Sequence, residues 1–405
     1  MAYAAVKGGE AAIGQSLRLL DICYGAERSV KIRDIVENMP FLIDQVMSES
    51  GLYAPEYAAL ALKQGKGSIE EAVFLLRAYR STLRRDYYSI PADCGEMRIQ
   101  RRISASFKDV PGGQILGPTF DYSHRLLDFG LRDGEEERGG DRAAVQIGER
   151  SGDGEIGRAG REAESESTEL HGPDGAERSA GPAGADSSAG MEGEDIYCPR
   201  VDQLLQEEGI MEKPKGDDTP PFDVTSHVMT FPAPRSARLQ TLARSESGFL
   251  EGVAYSAMRG YGAVHPTVSE LRAGWLSIEV PCPTEEGESI CIGEIFVTEV
   301  EALWPSRAET DEEFDRMTLS GGYGCVFGRN ETKAIAMSIA DASLNTQGPA
   351  PSQDEEFVLT HGDCLEMQGF ISHLKLPHYV TFQSKLDRVR EKGIGRDTGK
   401  EGNND

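Results

Sequence analysis

Nothing in this sequence is long and apolar enough to span a bilayer: no stretch approaches the roughly 18 consecutive apolar residues a membrane helix needs. Positive charge is also scarce. Lys and Arg number 42 against 68 Asp and Glu, a formal net charge of −26. That balance excludes sequence-independent nucleic-acid binding, which needs a basic face. The seven cysteines are scattered, odd in number and include no Cys-x-x-Cys. This usage fits a reducing cytosol, and it argues against an iron–sulfur cluster held by this chain alone. No Gly-x4-Gly-Lys-Ser/Thr motif is present, and no internal repeat. The opening MAYAAVKGGEAAI has no basic segment leading into an apolar run, so no secretory leader is expected.

At 405 residues the chain has room for two domains or one large one. The acidity is concentrated. Between Asp133 and Asp195 eighteen acidic residues face six arginines, and no aromatic residue occurs. Such a segment buries too little apolar surface to offset its ordering entropy. Residues 133–220 therefore read as an acidic low-complexity insertion, largely disordered, with the stretch after 195 returning gradually to structure.

The flanks have the patterning of folded chain. Ser68 and Glu71 form a capping-box start, followed by Ala72, Leu76, Tyr79 and Leu83 at helical spacing. Arg77, Arg80, Arg84 and Arg85 crowd the end of that helix, where cations suit the dipole. Leu276–Val280 alternates as a half-buried strand does, Ile290–Val300 is β-rich, and Gly324–Gly328 reads as a short strand and turn. Asn330 is positioned to cap a helix with Ile335, Ile339 and Ala342 on one face. The expected fold is α+β: a mainly helical part over 1–132, then a mixed sheet with covering helices over 221–390, and a disordered tail over 391–405.

Three stretches carry chemistry. Residues 97–129 pack Arg98, Arg101, Arg102, Lys108 and Arg125 around Gly112, Gly113, Gln114 and Gly117, with Asp121, Tyr122 and His124 close behind. Glycines let backbone N–H groups approach a phosphate, and Arg and Lys neutralise it. An anion site and a glycine-bearing loop beside an arginine-rich surface account for this pattern about equally well. His265 precedes a proline and has the weaker claim to a direct role. The third stretch is Phe370–Tyr379, where His373 and His378 flank Pro377. Proline disfavours a continuous helix there, so two imidazoles are offered from a bent or extended segment, as metal ligands or as one packed and one solvated ring.

Several runs occur together in a specific order: Lys7-Gly-Gly-Glu10, Phe74-Leu-Leu-Arg-Ala-Tyr-Arg80, Lys108-Asp-Val-Pro-Gly-Gly-Gln114, His124-Arg-Leu-Leu-Asp-Phe129, Arg259-Gly-Tyr-Gly262, Gln353–Leu359 and Ser372-His-Leu-Lys-Leu-Pro-His-Tyr379. Over nearly the whole of its non-acidic sequence the chain resembles the I-subunit family (PhnI) of the bacterial carbon–phosphorus lyase core complex. The acidic insertion is the main departure. The resemblance implies a cytoplasmic transferase subunit of alpha-D-ribose 1-methylphosphonate 5-triphosphate synthase, acting in phosphonate catabolism. The reaction takes magnesium–ATP and an alkylphosphonate, displaces adenine from the ribose C1′ and keeps the triphosphate. The resemblance also implies partner subunits, a radical iron–sulfur subunit among them, and zinc on His373 and His378 shared with a partner.

Against that reaction, Asp121 and His124 are the candidate catalytic residues, because glycosidic cleavage builds positive charge on the ribose and the purine leaves with a proton. Arg102, Lys108, Gly112, Gly113, Gln114 and Arg125 are the candidate polyphosphate ligands. Glu294 and the run Asp354–Glu356 are weaker carboxylate candidates, and His361 is a candidate third ligand of the zinc pair or a group that supports its ligands. Two other readings stay open: a non-catalytic scaffold of the same complex, and a free-standing purine nucleosidase or phosphohydrolase using water as acceptor.

Overall fold

The computed structural model describes residues 9–25, 30–129, 198–211, 220–260, 265–305 and 319–397. The chain divides into two compact units, one of Met1–Pro118 with Tyr197–Asp405 and a small one of Thr119–Ile196. The acidic residues 133–195, and with them most of the expected insertion, lie outside the described residues. So do Lys7, Gly8 and residues 261–264.

The large unit begins with five helices: α1 (Glu10–Tyr24), α2 (Ile32–Asn38), α3 (Pro40–Ser50), α4 (Pro55–Gln64) and α5 (Ile69–Thr82). α1 buries no residue. α2 to α5 share a core of Ile43, Val46, Met47, Ala59, Leu62, Val73 and Leu76. Ser68 caps α5 as expected, its hydroxyl accepting from Glu71 N–H at 3.3 Å. Of the expected apolar face, Ala72 and Leu76 are buried, whereas Tyr79 stacks edge-on against Tyr57 outside the core and Leu83 lies beyond the helix end.

A four-stranded sheet follows, built from β1 (Arg98–Ile103), β2 (Thr267–Pro281), β3 (Ser289–Pro305) and β4 (Leu319–Phe327) in the order β1-β2-β3-β4. Every pairing between strands is antiparallel, where a mixed sheet was expected. Antiparallel neighbours do not require the long crossover connection that parallel strands do. β1 lies before the acidic segment in sequence and pairs with β2 after it, Arg102 opposite Arg272.

Helices α6 (Val201–Glu207), α7 (Arg235–Arg244), α8 (Ser247–Gly260) and α9 (Glu331–Leu344) accompany the sheet. Leu242, Leu250, Leu271, Val300, Val326 and Met337 form its core. Gly322 and Gly324 of β4 let α9 approach closely, since a Cβ at either would lie 2.1 Å from Ser338 O or Ala334 O. Asn330 flanks α9 without capping it by its side chain. Its amide instead donates to Phe327 O at 2.8 Å. The chain ends in α10 (Glu355–His361), α11 (Cys364–Ser372) and α12 (Tyr379–Asp397), so helix persists past residue 391, where a disordered tail was expected. α6 likewise falls inside the boundaries expected for the insertion. Its Val201 and Leu205 pack with Val110, Met211 and Leu303.

Polar contacts join the helical core to the sheet. Tyr53 Oη accepts from Phe296 N–H at 3.0 Å, Asp44 pairs with Arg329 at 3.1 Å, and Ser247 Oγ donates to Glu49 at 2.8 Å. Lys333 of α9 is buried and donates to Ser48 Oγ at 2.9 Å. Among the described residues no helix is long and apolar enough to cross a membrane.

Candidate functional site

The loop from Ser104 to Pro118 hangs from β1. Gly112 and Gly113 both have positive φ, +83° and +75°, which any side chain would resist. Gln114 closes the loop on itself: its amide donates to Phe107 O and Lys108 O at 3.1 and 2.9 Å, and its oxygen accepts from Ser104 N–H at 3.3 Å. Lys108 is exposed beside this closure.

Arg102 is the exception among the expected polyphosphate ligands. It is fully buried, with a side chain 0% exposed. Its guanidinium pairs with Glu270 and donates to Pro111 O at 2.6 Å, Gly113 O at 3.0 Å and Pro199 O at 2.9 Å. Glu270 in turn pairs with Arg272 at 2.9 Å and accepts from Val201 N–H at 3.1 Å. Arg102 therefore anchors the loop from beneath and offers nothing to a ligand above it. Arg101 is buried too and pairs with Glu331 at 2.8 Å.

Asp121, His124 and Arg125 belong to the small unit, whose described part is the exposed stretch Thr119–Phe129. There Asp121 N–H donates to Thr119 Oγ1 at 3.2 Å, and Ser123 N–H closes a turn on Phe120 O at 2.9 Å. Arg125 has φ of +55°, donates to Phe120 O at 3.1 Å and lies over the Phe120 ring.

His373 and His378 are brought together. Their ring centroids are 5.4 Å apart, His373 half-buried at the end of α11 and His378 exposed just before α12. Each Nδ1 faces a backbone carbonyl, Phe370 O and Leu376 O respectively. A carbonyl only accepts, so each ring donates there and leaves Nε2 as its lone-pair nitrogen. With zinc–nitrogen bonds near 2 Å, two imidazoles sharing a tetrahedral ion have centroids about 5 Å apart. The observed spacing fits. Among the described residues no group of three or more His, Cys, Asp and Glu gathers to hold a metal. His361 is turned elsewhere, its Nδ1 against Phe357 O at 2.8 Å. Around the pair, Phe370, Ile371, Leu374, Tyr379, Val380 and Phe382 are all more than 60% exposed.

The weaker candidates have local duties. Glu294 pairs with Arg98 at 2.9 Å, Asp354 caps α10, and Glu355 accepts from Ala233 N–H at 3.2 Å. His265 faces Pro266 O at 2.6 Å.

The sequence reading missed a cleft of about 420 Å³ lined by Arg244, His227, Thr241, Ser245, Thr360 and Glu366, among others. Arg77 and Arg80 stand behind it. They serve α3 rather than their own helix, donating to Glu49 O at 2.6 Å and Ser50 O at 2.8 Å. Their clustering on α5 was visible in the sequence, but nothing there signalled Arg244, which arrives from a helix more than 160 positions away.

Comparison with known proteins first assigns the class: a family described as bacterial phosphonate metabolism protein (PhnI) matches residues 2–393. At 40% identity the chain is similar to the alpha-D-ribose 1-methylphosphonate 5-triphosphate synthase subunit PhnI of Rhizobium meliloti (strain 1021), covering 100% of this chain and 98% of the relative. It is 37% identical to the Escherichia coli (strain K12) subunit of the same name, covering 96% and 97%. A putative C-P lyase subunit protein, HtxH, of Stutzerimonas stutzeri is 40% identical over 96% of this chain and 95% of its own length. The chain belongs to the PhnI family.

Proposed function

We propose that this chain acts as a transferase subunit of alpha-D-ribose 1-methylphosphonate 5-triphosphate synthase in the carbon–phosphorus lyase pathway of phosphonate catabolism. Near-full-length membership of the PhnI family carries this reading. In the reaction, an alkylphosphonate oxygen takes the place of adenine at C1′ of ATP and the triphosphate is retained.

The closely spaced imidazole pair supports a zinc site completed by a partner subunit, because two ligands leave at least two positions of a tetrahedral ion open. Bound there, zinc would supply Lewis acidity toward a substrate oxygen. The apolar side chains around the pair are the kind of surface a partner covers, and the cytosolic radical iron–sulfur subunit is the proposed occupant. Lys108, with the open glycine turn at Gly112 and Gly113, is the proposed polyphosphate cradle, Gln114 holding its shape. Arg102 contributes to it only as the anchor below. Arg125, in the small unit, is a separately proposed polyphosphate ligand. Asp121 is proposed to face the positive charge that develops on the ribose, and His124 to protonate the departing purine.

The test is adenine release from magnesium–ATP by the purified chain, alone and with its partner subunits. Phosphonate-dependent release in the assembled complex is expected. Release with water alone as acceptor would make the chain a nucleosidase, and no release under any condition would leave it a scaffold.

A further inference from the structure

We propose that the cleft at the end of α7 binds an organic phosphate or phosphonate, its tetrahedral oxyanion held by Arg244. The proposal does not depend on the function assigned above. It stands on an unsatisfied cation in a cavity of the right size and lining.

Arg244 ends α7 and lines the cleft. Its Nε is buried and makes no hydrogen bond among the described residues. The two carboxylates whose charges act on it are taken: Asp363 pairs with Arg77, and Asp223 with Arg85. Arg80 stands beside it, since a Cβ on Gly51 would lie 2.9 Å from Arg80 Nη1 and 3.1 Å from Arg244 Nε. Burial, and then the charges of Arg77 and Arg80, push the Arg244 guanidinium down to about 10. A half-buried guanidinium with an unused donor carries a cost, and an incoming anion would relieve the repulsion between the neighbouring cations. The planar fork of Arg suits two oxygens of a phosphoryl or phosphonyl group.

The cleft is too roomy for a bare anion. Its volume of about 420 Å³ falls in the range of small-molecule sites, and Met229, Phe231 and Leu359 give it apolar wall. His227 lines the same space, its Nδ1 engaged by Ser226 Oγ at 2.8 Å, which leaves Nε2 for a ligand. An oxyanion joined to an organic body uses both kinds of surface. Asp363 and Glu366 also line the cleft. Asp363 is occupied by Arg77 and by the first turn of α11, so Glu366 is the carboxylate that opposes an anion there.

The experiment is calorimetric titration of the full chain with phenylphosphonate and with inorganic phosphate, in low-chloride buffer and without turnover. Saturable one-to-one binding of phenylphosphonate is expected, with inorganic phosphate weaker. R244Q should weaken it tenfold or more, R244K should weaken it less, and E366Q should tighten it. H373A should bind phenylphosphonate as wild type does, so a failed zinc site and a failed cleft are told apart. Absence of saturable binding in wild type, or equal affinity in R244Q, overturns the proposal. So does a loss of thermal stability in E366Q without tighter binding, since Glu366 would then be the partner of Arg244.

Discussion

Lys333 offers the sharpest test of how this fold carries its charge. The ammonium is 2% exposed, on a helix pressed against β4, and its hydrogen-bond partner is the neutral hydroxyl of Ser48. Burial pushes the amine down to about 8 from 10.5, against the opposing pull of Glu49. At about 1.36 kcal/mol per tenfold, that shift sets an upper limit of about 3 kcal/mol on the cost of keeping the charge inside. Lys333→Met removes the charge and keeps the length. The lost hydrogen bond costs about 1 kcal/mol, and Ser48 keeps its bond to Ala243 O at 3.1 Å. The variant should therefore be more stable than wild type by about 2 kcal/mol at pH 7.

The sign of the pH dependence follows. Below pH 8 the amine is charged in both folded and unfolded chain, and the folded state bears the full penalty. Between pH 8 and 10.5 the unfolded chain holds the extra proton, so wild-type stability rises with pH through this group. The advantage of the methionine variant should thus be full at pH 7 and largely gone by about pH 9.5. Urea unfolding of both proteins at the two pH values measures it. A variant less stable at pH 7, or a difference that does not change with pH, would refute the reasoning.

Other outcomes follow from the same geometry. His373→Ala and His378→Ala should each empty the proposed zinc site while leaving the melting temperature near that of wild type, since little apolar area is lost; equal zinc content in wild type and both variants would remove these residues as ligands. Arg102→Ala should destabilise the chain by about 3–5 kcal/mol, because it removes one of the two arginines paired with the buried Glu270 carboxylate and the donor to two loop carbonyls. Lys108→Ala should leave stability unchanged within about 0.5 kcal/mol and weaken ATP binding by about 1–3 kcal/mol; unchanged affinity would return the loop to a purely structural role. Deleting residues 134–193 should leave folding and co-purification with partners intact, because α6 and its contacts begin only at Val201. A large fall in melting temperature would show that the acidic segment packs.

Local features were legible in one dimension. The Ser68–Glu71 start of α5 rests on contacts three residues apart, so sequence spacing alone predicted it. Pro377 between two histidines implied a segment that is bent or extended, not one helix face, and only the structure shows that it bends enough to bring the ring centroids within 5.4 Å. Family-specific runs survive in the sequence whatever the fold does with them. The arginines are where sequence reasoning failed. Arg102 and Lys108 look alike as basic residues near glycines, yet one is sealed under the loop by Glu270, 168 positions away, and the other faces solvent. Arg244 acquires its unpaired state only when α5, α7 and α11 meet. The strand directions, too, were decided only by which strands pair, all of them antiparallel. Charge and residue type are properties of the sequence. Whether a charge is paired, buried or free depends on which distant groups the tertiary fold brings within a few ångströms, and that interaction falls too steeply with distance and solvent for sequence order to reveal it.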